Sequence, residues 1–184
     1  MRERTPSTQT SLAGSLLLAH PALRDPNFRR TVILMTADGK EGSMGMVLNR
    51  PLGRSLGTLG GDFALGPLAD TPLYSGGPVQ TKQLILAAWQ SQPNGFQLHL
   101  GIEPEKAASL LPEKDTHVRA YFGYAGWSAG QLKRELSQNT WIIADAPRDL
   151  FAQPGDLTLW RKTLGREGAQ WRLLADEPDS PDLN

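Results

Sequence analysis

Glycine and proline constrain this chain more than any other feature, because 19 glycines and 14 prolines are spread through 184 residues. Each is a point where regular structure tends to stop, turn or kink. The expected fold therefore has short strands and short helices joined by tight turns, and not a bundle of long helices. At this length a single domain buries roughly 70% of the surface that its unfolded form exposes. There is no cysteine, which removes disulfide frameworks, zinc fingers and cysteine nucleophiles. Lys plus Arg and Asp plus Glu are both 19, so no global field draws the chain to a polyanion or an anionic membrane.

Residues 1–10 are polar and read as a flexible lead-in, residues 11–175 as the domain, and residues 176–184 as a disordered acidic tail too poor in apolar surface to order itself. The apolar run 12–19 is broken by Gly14 and Ser15. It is followed by Ala19-His20-Pro21, a poor cleavage site, so it reads as a buried strand and not as a signal peptide. No run reaches the ~18 apolar residues of a membrane helix. These features predict a cytoplasmic protein that does not enter a membrane.

Along the chain, residues 31–36 form the clearest β-branched strand, expected to pair with 45–49 across the glycine-containing loop 38–43. Pro51 is expected to end the second of these, since proline cannot donate to a ladder. Residues 52–70 read as a poor short helix or a loop. Strands are expected at 84–89, 96–100, 118–124 and 141–144. Pro104 opens a helix that Pro112 stops, Pro147 begins a helical turn, and Asp156 caps a helix in which Leu157, Trp160 and Leu164 keep helical spacing.

The segment Tyr121-Phe122-Gly123-Tyr124-Ala125-Gly126-Trp127-Ser128-Ala129-Gly130-Gln131-Leu132 carries two readings. Ser128 and Gln131 have capping-box spacing, which starts a helix at Ser128. Gly126 to Gly130 also spells the G-x-S-x-G of a nucleophile elbow. His20, His99 and His117 all precede Ser128, so the α/β-hydrolase order is impossible. Only a convergent arrangement of His99 or His117 with Asp145 would serve a triad. Capping is preferred, and a hydrolase using Ser128 is the alternative. The histidines have no local ligand spacing, so no metal site and no cofactor are expected. Trp127 reads as a core plug ahead of a pocket wall.

Several motifs stand in one order: Gly14-Ser15-Leu16-Leu17-Leu18-Ala19 with Pro21; Asp25 and Phe28 with Arg30; Met44-Gly45-Met46-Val47-Leu48-Asn49-Arg50-Pro51; Gly76-Gly77-Pro78-Val79; and Phe122-Gly123-Tyr124-Ala125-Gly126-Trp127 with Gly130-Gln131-Leu132. Together they resemble the YqgE/AlgH family of bacterial proteins over residues 12–164. That resemblance implies one α+β domain, a mixed and strongly bent sheet folded into a pseudo-barrel with short helices outside. It implies an association with transcriptional regulation and no established reaction. Where relatives carry Glu-His ahead of the asparagine-arginine-proline strand this chain has Ala37-Asp38, and a second family histidine is replaced near Ala88. A site built on those histidines is not expected here.

The expected function is a non-catalytic regulatory domain that binds a protein partner or a small ligand. Asn49, Arg50, Gly76, Gly77, Pro78, Tyr124, Trp127 and Gln131 are its candidate contacts. In such a groove glycine permits close backbone approach, the aromatic rings stack, and Arg50 selects an anionic group. Direct DNA binding is the remaining alternative. It is disfavoured by the balanced charge and by the absence of a helix-turn-helix signature.

Overall fold

The computed structural model describes residues 11–176. The lead-in 1–10 and the acidic tail beyond Asp176 lie outside the described residues. The strands are β1 (Ser15–Ala19), β2 (Val32–Gly39), β3 (Gly42–Val47), β4 (Pro51–Ser55), β5 (Pro72–Ser75), β6 (Val79–Gln92), β7 (Gly95–Leu100), β8 (Thr116–Ser128) and β9 (Trp141–Asp145). The helices are α1 (Pro104–Leu110), α2 (Gln131–Ser137), α3 (Leu157–Arg166) and α4 (Ala169–Ala175). Short 3-10 turns fill residues 56–63 and Leu150–Ala152.

The strands form one mixed sheet in the order β4-β5-β8-β3-β2-β1-β9, with β6 joined to β8 and β7 to β6. The expected single α+β domain is what the chain builds. Its sheet does not close into a barrel, and β4 and β9 stand at the two ends of the path. Among the described residues no helix is long and apolar enough to cross a membrane.

The 13-residue β8 is the hub. It pairs in parallel with β5 through Tyr74↔Tyr121 and Ser75↔Phe122. It pairs antiparallel with β6 through Ile85↔Tyr121 and Leu84↔Phe122. A strand has two hydrogen-bonding edges, so β5 and β6 occupy opposite ones. The three residues Gly76-Gly77-Pro78 must therefore carry the chain across the backbone of β8. They do so at Gly123, where Gly76 N donates to Phe122 O and Gly76 O accepts from Val47 N. A Cβ on Gly77, at φ 148°, would overlap the Tyr124 carbonyl. One on Gly123, at φ 73°, would press on the carbonyl oxygens of Gly77 and Val79. The crossing thus needs residues with no side chain and with access to positive φ.

Strand boundaries differ from expectation where pairing overrides local signals. Pro51 opens β4 and does not merely end β3, since the first residue of an edge strand needs no amide donor. The helix α4 follows α3 after Gly168 and had no clear periodic signal of its own; Trp171 stacks edge-on to His20 at 5.4 Å.

One face of the sheet is covered by the segment 147–153 and by α3. Side chains of the sheet pin that segment by its carbonyls. Trp89 Nε1 and Ser91 Oγ both donate to Arg148 O at 2.7 Å, and Arg119 Nη2 donates to Phe151 O at 3.0 Å and Gln153 O at 2.7 Å. Trp160 Nε1 docks α3 onto Ala19 O at 2.9 Å. Asp156 caps α3 as expected, accepting from Thr158 N at 2.9 Å. The hydrogen bonds from Thr158 hold its carboxyl below the ordinary range.

The Tyr121 hydroxyl is buried near the Arg119 guanidinium without reaching ordinary hydrogen-bond geometry. Burial drives its pKa above the ordinary 10.0, and the charge of Arg119 opposes only part of that rise. The crossing and the buried phenol can each be tested by substitution. Gly77→Ala is expected to cost about 3 kcal/mol or more, from backbone overlap and forced positive φ, read as a fall in the urea midpoint. Tyr121→Phe removes a buried hydroxyl together with an oxygen near the Arg119 guanidinium, and is expected to change stability at neutral pH by less than about 1 kcal/mol. Because the folded phenol ionises later than the unfolded one, wild-type stability falls as pH rises past 10.0. Urea unfolding at neutral pH and at about pH 11 should show this loss in the wild type and a smaller one in the variant.

Candidate binding site

The segment at which the two sequence readings met is extended backbone for longer than expected. β8 continues through Ser128, which pairs with Gly42 of β3. Helix α2 begins at Gln131 behind Gly130, and no side chain caps it. Only half of the expected capping box forms. Gln131 Oε1 accepts from Ser128 N at 3.0 Å, but the Ser128 hydroxyl donates to the same oxygen at 3.3 Å and takes no helix amide. The helix start at Ser128 is therefore corrected to Gln131, because pairing with β3 holds Ser128 in the sheet.

That pairing also decides the elbow question. A nucleophile elbow places its serine on a sharp, strained turn between strand and helix, whereas Ser128 is a ladder residue with ordinary negative φ. No histidine is among its hydrogen-bond partners. His20 Nδ1 accepts from Ala22 N at 3.0 Å, His99 Nε2 bonds Gln90 Oε1 at 2.8 Å, and His117 sits near the other end of β8 opposite Trp89. Among the described residues no group of three or more His, Cys, Asp or Glu is placed to hold a metal ion.

Trp127 is 6% exposed and packs with Leu17, Ile33, Val47 and Trp141. Its Nε1 donates to Glu135 Oε2 at 2.9 Å, and Trp141 Nε1 donates to the same oxygen at 2.7 Å. The two indoles meet edge to face at 6.0 Å. Glu135 Oε1 accepts from Gln131 Nε2 at 3.0 Å. Trp127 and Gln131 thus belong to one network that fastens α2 to β8 and β9. Glu135 was not singled out from the sequence, since neither indole is its neighbour along the chain.

Asn49 is also a building residue. At 2% exposure its Oδ1 accepts from Val32 N at 2.9 Å and its Nδ2 donates to Arg30 O at 2.9 Å. The side chain thereby extends the β2–β3 pairing beyond the last ladder residue. Gly76 is committed to the crossing over β8. The remaining candidates fall into two hollows. Arg50, Gly77 and Pro78 line a cavity of about 200 Å³ with Asn27, Ser75 and Thr81. Tyr124 lines a second hollow of about 420 Å³ with Met44, Val79 and the edge of Trp127.

Arg50 is the charged group of the first cavity. Its Nη2 donates to Arg29 O at 2.6 Å. Burial first, and the like charge of Arg29 second, push its pKa down. A partly desolvated guanidinium beside another cation gains from an anion within hydrogen-bond reach. The ring of Tyr124 and the Arg50 cation, expected in one groove, serve separate hollows because the Gly76-Gly77-Pro78 crossing runs between β3 and the far edge of β8.

The Glu135 network yields a direct test. Glu135→Ala leaves two indole N–H groups without an acceptor and is expected to cost about 2–3 kcal/mol. Glu135→Gln can place its carbonyl oxygen where Oε2 accepts from both indoles, and should cost less. Urea unfolding followed by tryptophan fluorescence measures both.

The sequence profile of the AlgH-like family (DUF179) matches residues 16–172. A UPF0301 protein of Streptomyces coelicolor is 35% identical over 188 residues, covering 95% of this chain and 96% of the relative. One from Chlorobium luteolum is 34% identical over 184 residues, covering 94% of each. The solution structure of the AlgH protein from Pseudomonas aeruginosa superposes with a TM-score of 0.65 at 30% identity, covering 98% of this chain and 100% of that one. The crystal structure of a Corynebacterium diphtheriae protein, DIP2367, superposes with a TM-score of 0.73 at 21% identity and shares the fold over 96% and 95% of the two chains. With a family profile spanning the whole sheet and relatives aligned over nearly their full length, the chain belongs to the AlgH-like family.

Proposed function

We propose that this protein is a non-catalytic, cytoplasmic binding module of regulatory type, which engages a protein partner or a small ligand through an anionic group seated at Arg50. The observation that carries the reading is the Arg50 cavity itself. It combines a half-buried guanidinium, depressed in pKa by burial and by Arg29, with a wall of Gly77, Pro78 and Ser75. That wall belongs to the rigid crossing over β8, so the guanidinium faces a preorganised surface. The Arg50 backbone is held beside the end of β5, where Ser75 N donates to Arg50 O at 2.9 Å.

The regulatory role is what the family resemblance implies. It fits a chain whose most enzyme-like motif is spent on the sheet. A partner with an acidic side chain or terminus at its contact suits Arg50 better than a nucleic acid does. The balanced 19 and 19 charges provide no wider basic surface for a phosphate backbone.

Native mass spectrometry of the protein purified from its own cells, wild type against Arg50→Gln, tests this. The wild type is expected to carry an additional mass that is lost or reduced about ten-fold in the variant, at an unchanged urea midpoint. The same additional mass on both proteins would sink the reading.

A further inference from the structure

The sheet ends on one side at β9, and the hydrogen bonds of its neighbour β1 settle which backbone groups of β9 point outward. Ala19 N donates to Thr31 O at 3.0 Å, and His20 N donates to Thr140 O at 3.0 Å. The odd-numbered residues of β1 are therefore bonded to β2 and the even-numbered ones to β9, as the alternation of antiparallel ladders requires. β1 and β9 pair without a break from Ser15↔Asp145 to Ala19↔Trp141. Ile142 and Ala144 thus spend their N–H and C=O groups on Leu18 and Leu16. Trp141, Ile143 and Asp145 turn theirs to the outer edge, where among the described residues they have no hydrogen-bond partner.

The side chains of those three residues share the face that carries α2. The Trp141 indole is held there by Glu135 at 2.7 Å. Asp145 is exposed, and Ile143 is 45% exposed although it is apolar and mid-strand. Natural sheets guard their edges with proline, charge, bulges or brevity. β4, at the other end of the path, is guarded in this way: it opens with Pro51, carries Arg54, and pairs irregularly with β5. Its exposed Leu52 sits between Pro51 and Gly53. β7 keeps Phe96, Leu98 and Leu100 half-buried. The run Trp141-Ile142-Ile143-Ala144-Asp145 contains no proline and no basic residue, and its ladder has no bulge.

A row of outward N–H and C=O groups is a template for another strand, and symmetry favours this same strand from a second copy. An antiparallel pair of identical strands has a two-fold axis. Centred on Ile143, that axis sets Ile143 opposite Ile143 of the second copy and Trp141 opposite its Asp145, so every outward group on both edges gains a partner. The two exposed isoleucines then cover each other on the α2 face, as directly opposite apolar residues do. The two Asp145 carboxylates fall at opposite ends of the ribbon, about 14 Å apart along it. The chain's formal net charge is zero, so no overall repulsion opposes the approach. We infer that two copies of this chain pair through β9, antiparallel about a two-fold axis at Ile143, which joins their sheets into one. A five-residue edge is short beside a standard interface of about 800 Å² per partner, so the pair is reversible and comes apart on dilution.

The test is sedimentation velocity of the full chain from about 1 to about 500 µM. The mass is expected to rise from the 20.1 kDa of one chain towards twice that value. Ile143→Pro removes an outward N–H and no bond to β1, and should hold the chain as a monomer throughout. Ile143→Lys and Ile143→Glu alter an exposed side chain, should keep the urea midpoint, and should each be monomeric alone. Mixed in equal amounts they should associate, because position 143 meets itself across the axis. Amide hydrogen exchange reads the register: at the highest concentration the N–H groups of Trp141, Ile143 and Asp145 should slow about ten-fold, while those of Ile142 and Ala144, already bonded to β1, should change little. Arg50→Gln should dimerise as the wild type does, so this edge and the Arg50 cavity stand or fall separately. The inference is overturned by a monomer at every concentration, by a dimer that survives Ile143→Pro or Ile143→Lys, by a lysine and glutamate mixture that stays monomeric, or by equal slowing at Ile142 and Ile143.

Discussion

The fold depends on one close approach of backbone to backbone. The chain leaves β5 on one edge of β8 and begins β6 on the other, with only Gly76-Gly77-Pro78 to make the passage. Two polypeptide backbones cross this closely only where neither carries a Cβ at the contact, which is the situation of Gly76 and Gly77 against Gly123. The geometry of the sheet follows from it. β8 pairs with β5 and β6 below the crossing and with β3 beyond it, and the β6–β8 register shifts between Val79 and Leu84. The Gly76-Gly77-Pro78 and Phe122-Gly123-Tyr124 motifs, distant in sequence, are the two halves of a single structural joint.

Polar side chains make the next layer of contacts, and most of them serve the backbone. Asn49 completes a strand pairing, Arg119 and Trp89 hold the carbonyls of the 147–153 segment, and Glu135 ties two indoles to α2. Each satisfies groups that would be costly to bury alone. The consequence for function is that residues resembling a site in the sequence are largely occupied in building. Trp127, Gln131, Asn49 and Ser128 all have internal partners. Arg50, beside the crossing, is the candidate whose charged end lines a cavity.

A chain of balanced charge can still present strong local fields in this way. A guanidinium that is partly removed from water interacts with an anion far more strongly than a solvated one does. The half-buried Arg50 guanidinium is such a local field, set in a chain with no wide basic surface.

Much of the architecture was legible in the sequence, because it follows from local rules. Glycine and proline marked the joints, β-branched and alternating runs marked β2, β3, β6 and β7, Pro104 and Asp156 marked helix starts, and the motif order pointed to the family. What local rules could not decide was how the marked pieces compete and converge. Ser128 had the spacing of a helix cap, yet its pairing with Gly42 keeps it in a strand, since ladder partners lie 86 positions apart in this sequence. Trp127 and Trp141 share Glu135 only after α2 folds back between β8 and β9. Arg119 is one charged letter in an apolar strand, and its meaning comes from Tyr74, Phe151 and Gln153, which the fold brings around it. The sequence determined where backbone must turn or cross, because those limits are set by each residue's own sterics. The tertiary structure alone decided which polar groups were used up in packing and which remained facing a cavity, because burial and pairing are properties of distant residues brought into contact.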